Sequence, residues 1–134
     1  MQATVTWQGG LSFKGQTDSG YEVIMDGDKQ AISPMESVLI AAGACSSVDV
    51  VEILRKARQD IQSCYCELNA ERAENPPRVF ESIHAHYVVS GSDIKEKQLA
   101  RAVQLSAEKY CSVMLMLDGS VNITTSYEVK DKEA

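Results

Sequence analysis

The chain has 134 residues, of which 44% are hydrophobic and 24% are charged, and its formal net charge at neutral pH is −6. This is the length of one ordinary domain, which buries roughly two-thirds of its unfolded surface without a disulfide or a metal. The acidic balance argues against nucleic acid and anionic membrane as partners, because both require a basic protein face. We therefore expect one domain over residues 1–134 that binds neither.

The N-terminal segment "MQATVTWQGG" lacks the features of a targeting signal. It has no basic start and no long apolar stretch, so no signal peptide is predicted, and we expect no membrane-spanning segment elsewhere. These features predict a cytoplasmic protein, in a compartment that keeps thiols reduced. The four cysteines are accordingly expected to be free, metal-bound or catalytic rather than paired in structural disulfides.

Three short strands and a long helix are predicted in the first half of the chain. Apolar and polar residues alternate over residues 3–7, and "LSFKG" and "GYEVIMDG" follow after glycine-containing turns, which indicates a meander. Ser33 and Pro34 then begin a helix, with Glu36 three residues after the serine as in a capping box. This helix is predicted to run to about Gln59.

The second half of the chain predicts a hairpin, a second long helix and a last strand. "IQSCYCELNAERAE" and "RVFESIHAHYVVSG" have strand character and are separated by the turn "NPP". Apolar residues then recur at helical spacing from about Ile94 to Leu117, and "VNITTSYEVK" is the final strand. The order βββ-α-ββ-α-β indicates an α+β domain, whose two long helices pack on each other and on the sheets, or on a partner chain.

One cysteine lies in each predicted long helix, and a serine follows each of them. Cys45 is in "AAGACSSVDVVEIL" and Cys111, 66 positions later, is in "AEKYCSVMLML". If the helices pack side by side, the two thiols meet and form a redox pair; the alternative is that both cysteines pack as small hydrophobes. No cation lies near Cys45 in the sequence, and Asp49 raises its pKa if the carboxylate faces the sulfur, so activation has to come from elsewhere.

Two other pairs of residues are weaker candidates for chemistry. Cys64 and Cys66 share one face of a predicted strand, which suits chelation of a single ion poorly. His84 and His86 also share a face and offer two metal ligands, but no third ligand occurs at a recognisable spacing. We expect these histidines to line the solvent face or a dimer contact, and we expect no metal and no cofactor.

The two cysteine-containing segments resemble the two motifs of the OsmC/Ohr family. "SPMESVLIAAGACSSVDVVEIL" is similar to the first motif, a proline–glutamate helix start that leads to an Ala/Gly-rich stretch and a cysteine. "AEKYCSVMLML", followed by a strand, is similar to the second. The order of elements also fits over essentially the whole chain, and it places the protein in the OsmC-like branch. The resemblance implies an intertwined homodimer with two active sites at the subunit interface.

The resemblance also implies a chemistry. Characterised members of the family are thiol-dependent peroxidases that reduce organic hydroperoxides without a metal. By this likeness Cys45 is the peroxidatic thiol, which becomes a sulfenic acid, and Cys111 is the resolving thiol, which closes a disulfide. An external dithiol then reduces the disulfide. Glu36 matches the glutamate of the first motif, which helps to organise the site.

The sequence departs from the family pattern at two points. Active family members carry an arginine in the N-terminal strand region, whereas the first arginine here is Arg55 and the only cation in "GGLSFKG" is Lys14. Lys14 is the candidate that stabilises the thiolate, although a lysine lacks the planar fork of a guanidinium. In addition, Glu36 and Cys45 are nine residues apart, about 180° around a regular helix, so they share a face only if the helix bends near Gly43 or the glutamate acts on the other chain.

Two hypotheses of function follow. The first, which we favour, is a cysteine-based organic hydroperoxide reductase that uses Cys45 and Cys111, as the paired cysteines indicate. The second is a non-catalytic OsmC-like protein that binds a hydrophobic small molecule or senses redox state, as the missing arginine indicates. Both hypotheses predict a homodimer.

Overall fold

A computed structural model of the chain describes residues 1–131 and divides it into two compact units. The last three residues of the predicted domain, 132–134, lie outside the described part. The first unit, Met1–Ile40, contains strands β1 (Ala3–Trp7), β2 (Ser12–Thr17) and β3 (Glu22–Asp26). These strands pair antiparallel in the order β1-β2-β3, which confirms the predicted meander.

Helix α1 (Pro34–Lys56) begins at the end of the first unit and continues into the second. Its start is the predicted capping box: the Ser33 backbone N–H donates to Glu36 Oε1 at 2.9 Å, and the Glu36 N–H donates to Ser33 Oγ at 3.1 Å. The helix contains no break at Gly43. It ends at Lys56, slightly before the predicted end, and the chain turns at Arg58, which has a positive φ of 60°.

The second unit begins at Ala41 and has its own three-stranded sheet. Strands β4 (Asp60–Arg72) and β5 (Phe80–Ser92) form the predicted antiparallel hairpin, and β6 (Asn122–Asp131) pairs parallel with β5. Partly buried and buried residues alternate over residues 82–87 of β5, and residues 87–91 are all buried, as suits a central strand. The α+β class is confirmed.

The second long helix is not continuous, and this prediction was wrong in one respect. Instead of one helix over 94–117, the chain forms α2 (Glu96–Leu105), a single π-helical turn over Ser106–Tyr110, and α3 (Ser112–Leu117). Cys111, between the π-turn and α3, has an extended backbone (φ −77°, ψ 103°) and is the N-cap residue of α3. Its N–H donates to the Ser106 carbonyl at 2.9 Å, which closes the π-turn.

The core of the second unit joins α1 to the sheet and to α2. Tyr87 is fully buried, and its hydroxyl donates to Ser46 Oγ at 2.7 Å, while the Ser46 hydroxyl donates to the Ala42 carbonyl at 2.9 Å. Gly43 lets α1 approach β4 closely, because a Cβ at this position would lie 2.6 Å from Leu68 Cδ1. Gly43 therefore serves packing at this point of the helix.

Helix α1 is long and apolar enough to cross a membrane by length and composition alone. The expectation that no apolar segment reaches this length was therefore wrong. Part of this apolar character is buried, because Ala42, Val50 and Leu54 lie completely in the core of the second unit, whereas Ile40 and Val48 are exposed. The core helices of soluble proteins have the same length and composition, so the helix is weak evidence for a membrane.

Candidate functional site: a pair of thiols at a helix break

The structure brings Cys45 and Cys111 together. Both belong to the second unit: the half-buried Cys45 lies on α1 and packs against a core cluster that includes the fully buried Cys111. The thiol of Cys111 is also a hydrogen-bond partner of the Cys45 sulfur. All four cysteines of the chain are free thiols. Two residues 66 positions apart in sequence thus form one thiol pair.

The backbone at the start of α3 lowers the pKa of Cys45. The strongest contribution is a hydrogen bond from the Val113 backbone N–H, which stabilises the thiolate. Partial burial raises the pKa but is outweighed, because the Ser112 hydroxyl, 3.7 Å from the Cys45 sulfur, and the Ser112 N–H also contribute. No cation is among these groups. A short helix N-terminus therefore provides the activation for which the sequence showed no source.

Cys111 is shifted in the opposite direction. Burial raises the pKa of the Cys111 thiol well above its ordinary value, and the charge of the neighbouring Cys45 raises it further. The Met114 N–H, which donates to the Cys111 sulfur at 3.4 Å, opposes this effect only in part. The pair is therefore asymmetric: Cys45 is the thiol that ionises first, and Cys111 stays protonated beside it.

Asp49 on α1 contacts the π-turn through a hydrogen bond. Its carboxylate Oδ2 accepts a hydrogen bond of 2.9 Å from the Ser106 hydroxyl, at the first position of the π-turn. The Ser46 carbonyl lies 3.3 Å from the same hydroxyl. Asp49 and Ser106 are far apart in sequence, so no local pattern predicts this contact, which ties α1 to the segment that ends at Cys111.

The other two predicted site residues lie in the first unit. Lys14 is a half-buried residue of β2 and pairs across the sheet with Thr6 and Ile24. Glu36 is exposed, and its carboxylate belongs to the capping box, where the bonds from Ser33 lower its pKa. The described bonds of Glu36 therefore stabilise the start of α1.

The secondary candidates have structural partners. Cys64 and Cys66 are half-buried in β4, and burial raises the pKa of Cys66 to about 11. His84 Nε2 and His86 Nδ1 both bond to Ser126 Oγ, at 2.8 and 2.6 Å. Among residues 1–131, no three His, Cys, Asp or Glu side chains form a group that could hold a metal ion.

A groove of about 460 Å³ runs between α1 and the segment formed by α2 and the π-turn. We call it the seam groove. Its walls carry charges of both signs and a few apolar side chains: Asp49, Glu52, Ile53, Lys56, Ala57, Arg101, Leu105 and Tyr110. One wall begins a helical turn after Cys45, and the other ends at the residue before Cys111.

Comparison with known proteins identifies the family. A family model described as OsmC-like protein matches residues 26–126. Protein YhfA of Escherichia coli K12 is 56% identical over 131 residues, which cover 96% of this chain and 98% of YhfA. The chain belongs to the OsmC-like family. The predicted resemblance to the OsmC-like branch, and within it to YhfA, is confirmed, although the name YhfA carries no activity.

Solved structures agree with this assignment. A hypothetical protein from Aquifex aeolicus superposes with a TM-score of 0.91 at 36% identity, and the match covers 98% of this OsmC-like chain and 97% of that one. An organic hydroperoxide resistance protein OsmC from Legionella pneumophila superposes with a TM-score of 0.72 at 15% identity and 96% coverage of both chains. At this identity the second comparison shows the shared fold alone.

We predict that Ser112→Ala raises the pKa of Cys45, because the variant removes a hydroxyl that helps to stabilise the thiolate. The pH dependence of Cys45 alkylation, followed by peptide mass, measures this value. The alkylation rate should rise with pH and level off above the pKa. Ser120→Ala, an exposed serine away from the thiols, is the control. Equal midpoints in Ser112→Ala and the wild type would contradict the assigned role of the hydroxyl.

Proposed function

We propose that this OsmC-like protein is a thiol-dependent peroxidase that reduces organic hydroperoxides through Cys45 and Cys111. The observation that carries the proposal is the asymmetric thiol pair, in which the pKa of the half-exposed sulfur is lowered and that of the buried sulfur is raised. A peroxidatic cysteine must be an accessible thiolate, and a resolving cysteine must lie close enough to form a disulfide. The name of the Legionella relative, an organic hydroperoxide resistance protein, supports the substrate class.

The proposed reaction has three steps. The Cys45 thiolate attacks the O–O bond of a hydroperoxide ROOH, so that the sulfur becomes a sulfenic acid and, with one proton, ROH leaves. The Cys111 thiol then attacks the Cys45 sulfur, which forms the disulfide and releases water. Finally an external thiol reductant, in the simplest case one dithiol, returns both cysteines to thiols and is itself oxidised to a disulfide.

The peptide N–H groups of α3 take the place of the missing arginine in this scheme. They stabilise negative charge on Cys45 without a positively charged side chain, and the Ser112 hydroxyl adds a second donor. We also propose that Glu36 helps to organise the site and that Lys14 supplies positive charge that stabilises the thiolate. The resemblance to the family motif supports Glu36, and Lys14 is the only cation in the corresponding N-terminal segment.

One observation favours the second candidate, a binding or redox-sensing protein. The seam groove, which is large enough for a small ligand, lies beside α1, the helix that carries Cys45. If Cys45 reacts with hydroperoxides no faster than an ordinary thiol, ligand binding in this groove is the better account of the protein's function.

We predict that Cys45→Ser abolishes hydroperoxide turnover, because no other sulfur combines a lowered pKa with exposure. Cys111→Ser should let a sulfenic acid accumulate on Cys45, since the resolving thiol is absent. Turnover is measured with cumene hydroperoxide and dithiothreitol, and the sulfenic acid is trapped with dimedone and located by peptide mass. Cys64→Ser is the matched control and should keep wild-type turnover. Wild-type turnover in both Cys45→Ser and Cys111→Ser would refute the mechanism.

We also propose that the protein is a homodimer, which the family resemblance implies. One face of the sheet in the first unit supports this proposal, because cross-strand neighbours on it are apolar and exposed: Val5 is 69% exposed, Trp7 65%, Val23 41% and Phe13 38%. An apolar patch of this kind marks an interaction surface.

Sedimentation equilibrium at micromolar concentration should therefore give twice the mass of the chain. Trp7→Glu should shift the protein toward monomers, because it places a charge in the apolar face. Gln2→Glu, in the same segment but outside this face, is the control. A wild-type monomer at this concentration would contradict the dimer.

A further inference from the structure

A cluster of histidine and hydroxyl side chains lies on the face of the second sheet that is turned away from α1. Ala85, which lies between His84 and His86 on β5, is completely buried in the core that also contains the thiol pair. The two histidines therefore project from the opposite face of the sheet. On the neighbouring strand β6, Thr124 is paired with His84, and Ser126 is paired with His86. The proposed peroxidase reaction uses none of these four polar side chains.

The two imidazole rings of this cluster converge on a single oxygen atom. His84 Nε2 lies 2.8 Å from Ser126 Oγ, and His86 Nδ1 lies 2.6 Å from the same oxygen. A serine hydroxyl carries one proton, so it can donate a hydrogen bond to only one of the two nitrogens. Two ring nitrogens are thus directed at one small volume beside a hydroxyl. Imidazole nitrogen is a preferred ligand of zinc, copper and nickel ions.

The outer nitrogen of each ring faces an oxygen on β6. His84 Nδ1 lies 2.6 Å from Thr124 Oγ1, and His86 Nε2 lies 3.9 Å from Glu128 Oε1. In metal centres, a histidine ligand usually directs its second ring nitrogen at an oxygen, which fixes the ring orientation and leaves the first nitrogen for the metal. The side chains around the two rings therefore match those that support histidine ligands.

We propose that His84 and His86 form a binding site for a divalent transition-metal ion that prefers imidazole nitrogen, such as Zn²⁺. The Ser126 hydroxyl and water complete the four ligands that zinc takes. The spacing of residues along one strand showed no third ligand, because this hydroxyl comes from the neighbouring strand. The site does not depend on the proposed function. It lies across the sheet from the thiol pair, and hydroperoxide reduction there needs no metal.

A titration of the reduced full chain with Zn²⁺, followed by NMR, tests the proposal. The imidazole signals of His84 and His86 are observed together with the Cβ signal of Cys45, which reports separately on any zinc at the thiol pair. Both imidazole signals should shift together and level off near one equivalent of zinc. Mg²⁺, which prefers oxygen ligands, should leave them unchanged.

Variants of single residues test the role of each side chain. His84→Gln and His86→Gln should each weaken zinc binding by at least about tenfold, because each removes one of the two nitrogen ligands. Thr124→Val should weaken it about tenfold and change the tautomer of His84, which the nitrogen shifts of the ring report. Thr125→Val is the matched control, because Thr125 is paired with Ala85 and lies on the other face of the sheet.

The proposal is overturned if the imidazole signals do not respond to zinc, or if only Cys45 responds. Imidazole signals that keep shifting without levelling off would indicate an adventitious ion only, which also overturns it. Zinc affinity equal to that of the wild type in His84→Gln and His86→Gln would have the same meaning. All of these measurements follow metal binding rather than turnover, so their outcome is distinguishable from failure of the peroxidase.

Discussion

The thiol pair depends on the break in the helical backbone at Cys111. In a continuous helix over residues 94–117, the N–H groups of Ser112 and Val113 would be bonded to carbonyls four residues earlier. The break makes them the first N–H groups of a new helix, which have no partner within that helix. Met114 donates to the Cys111 sulfur, and Val113 donates to Cys45. One change of backbone direction thus positions one thiol and activates the other.

The break is supported by contacts with α1. The π-turn closes through the bond from the Cys111 N–H to the Ser106 carbonyl, and the Ser106 hydroxyl bonds to Asp49 on α1. Asp49 therefore acts as a structural link rather than as a repulsive charge beside the thiol. The neighbouring Ser46 is in turn bonded by the buried Tyr87 hydroxyl. These buried polar groups are all satisfied, which suits a network that fixes one geometry.

The sequence predicted the elements whose signals are local. Alternation marks the first strands, the Ser33–Glu36 box marks the start of α1, and "NPP" marks the hairpin turn. The break at Cys111 could not be predicted, because no Gly or Pro interrupts the apolar periodicity and cysteine is not a common N-cap residue. The pairing of the thiols was predictable, because one cysteine lies in each of the two predicted helices. The source of the activation of Cys45 was not, because it depends on the break at Cys111 and on the non-local contact between Asp49 and Ser106.

The most direct test of the account is an NMR titration of the reduced protein that follows the backbone amide of Val113 and the Cβ of Cys45 together. The account predicts that the Val113 amide proton shifts strongly downfield as Cys45 ionises, with the same midpoint, and at a pH below that of an ordinary thiol. It also predicts that Cys45→Ser removes this transition. A Val113 amide that does not respond to the ionisation of Cys45 would contradict activation by the α3 backbone.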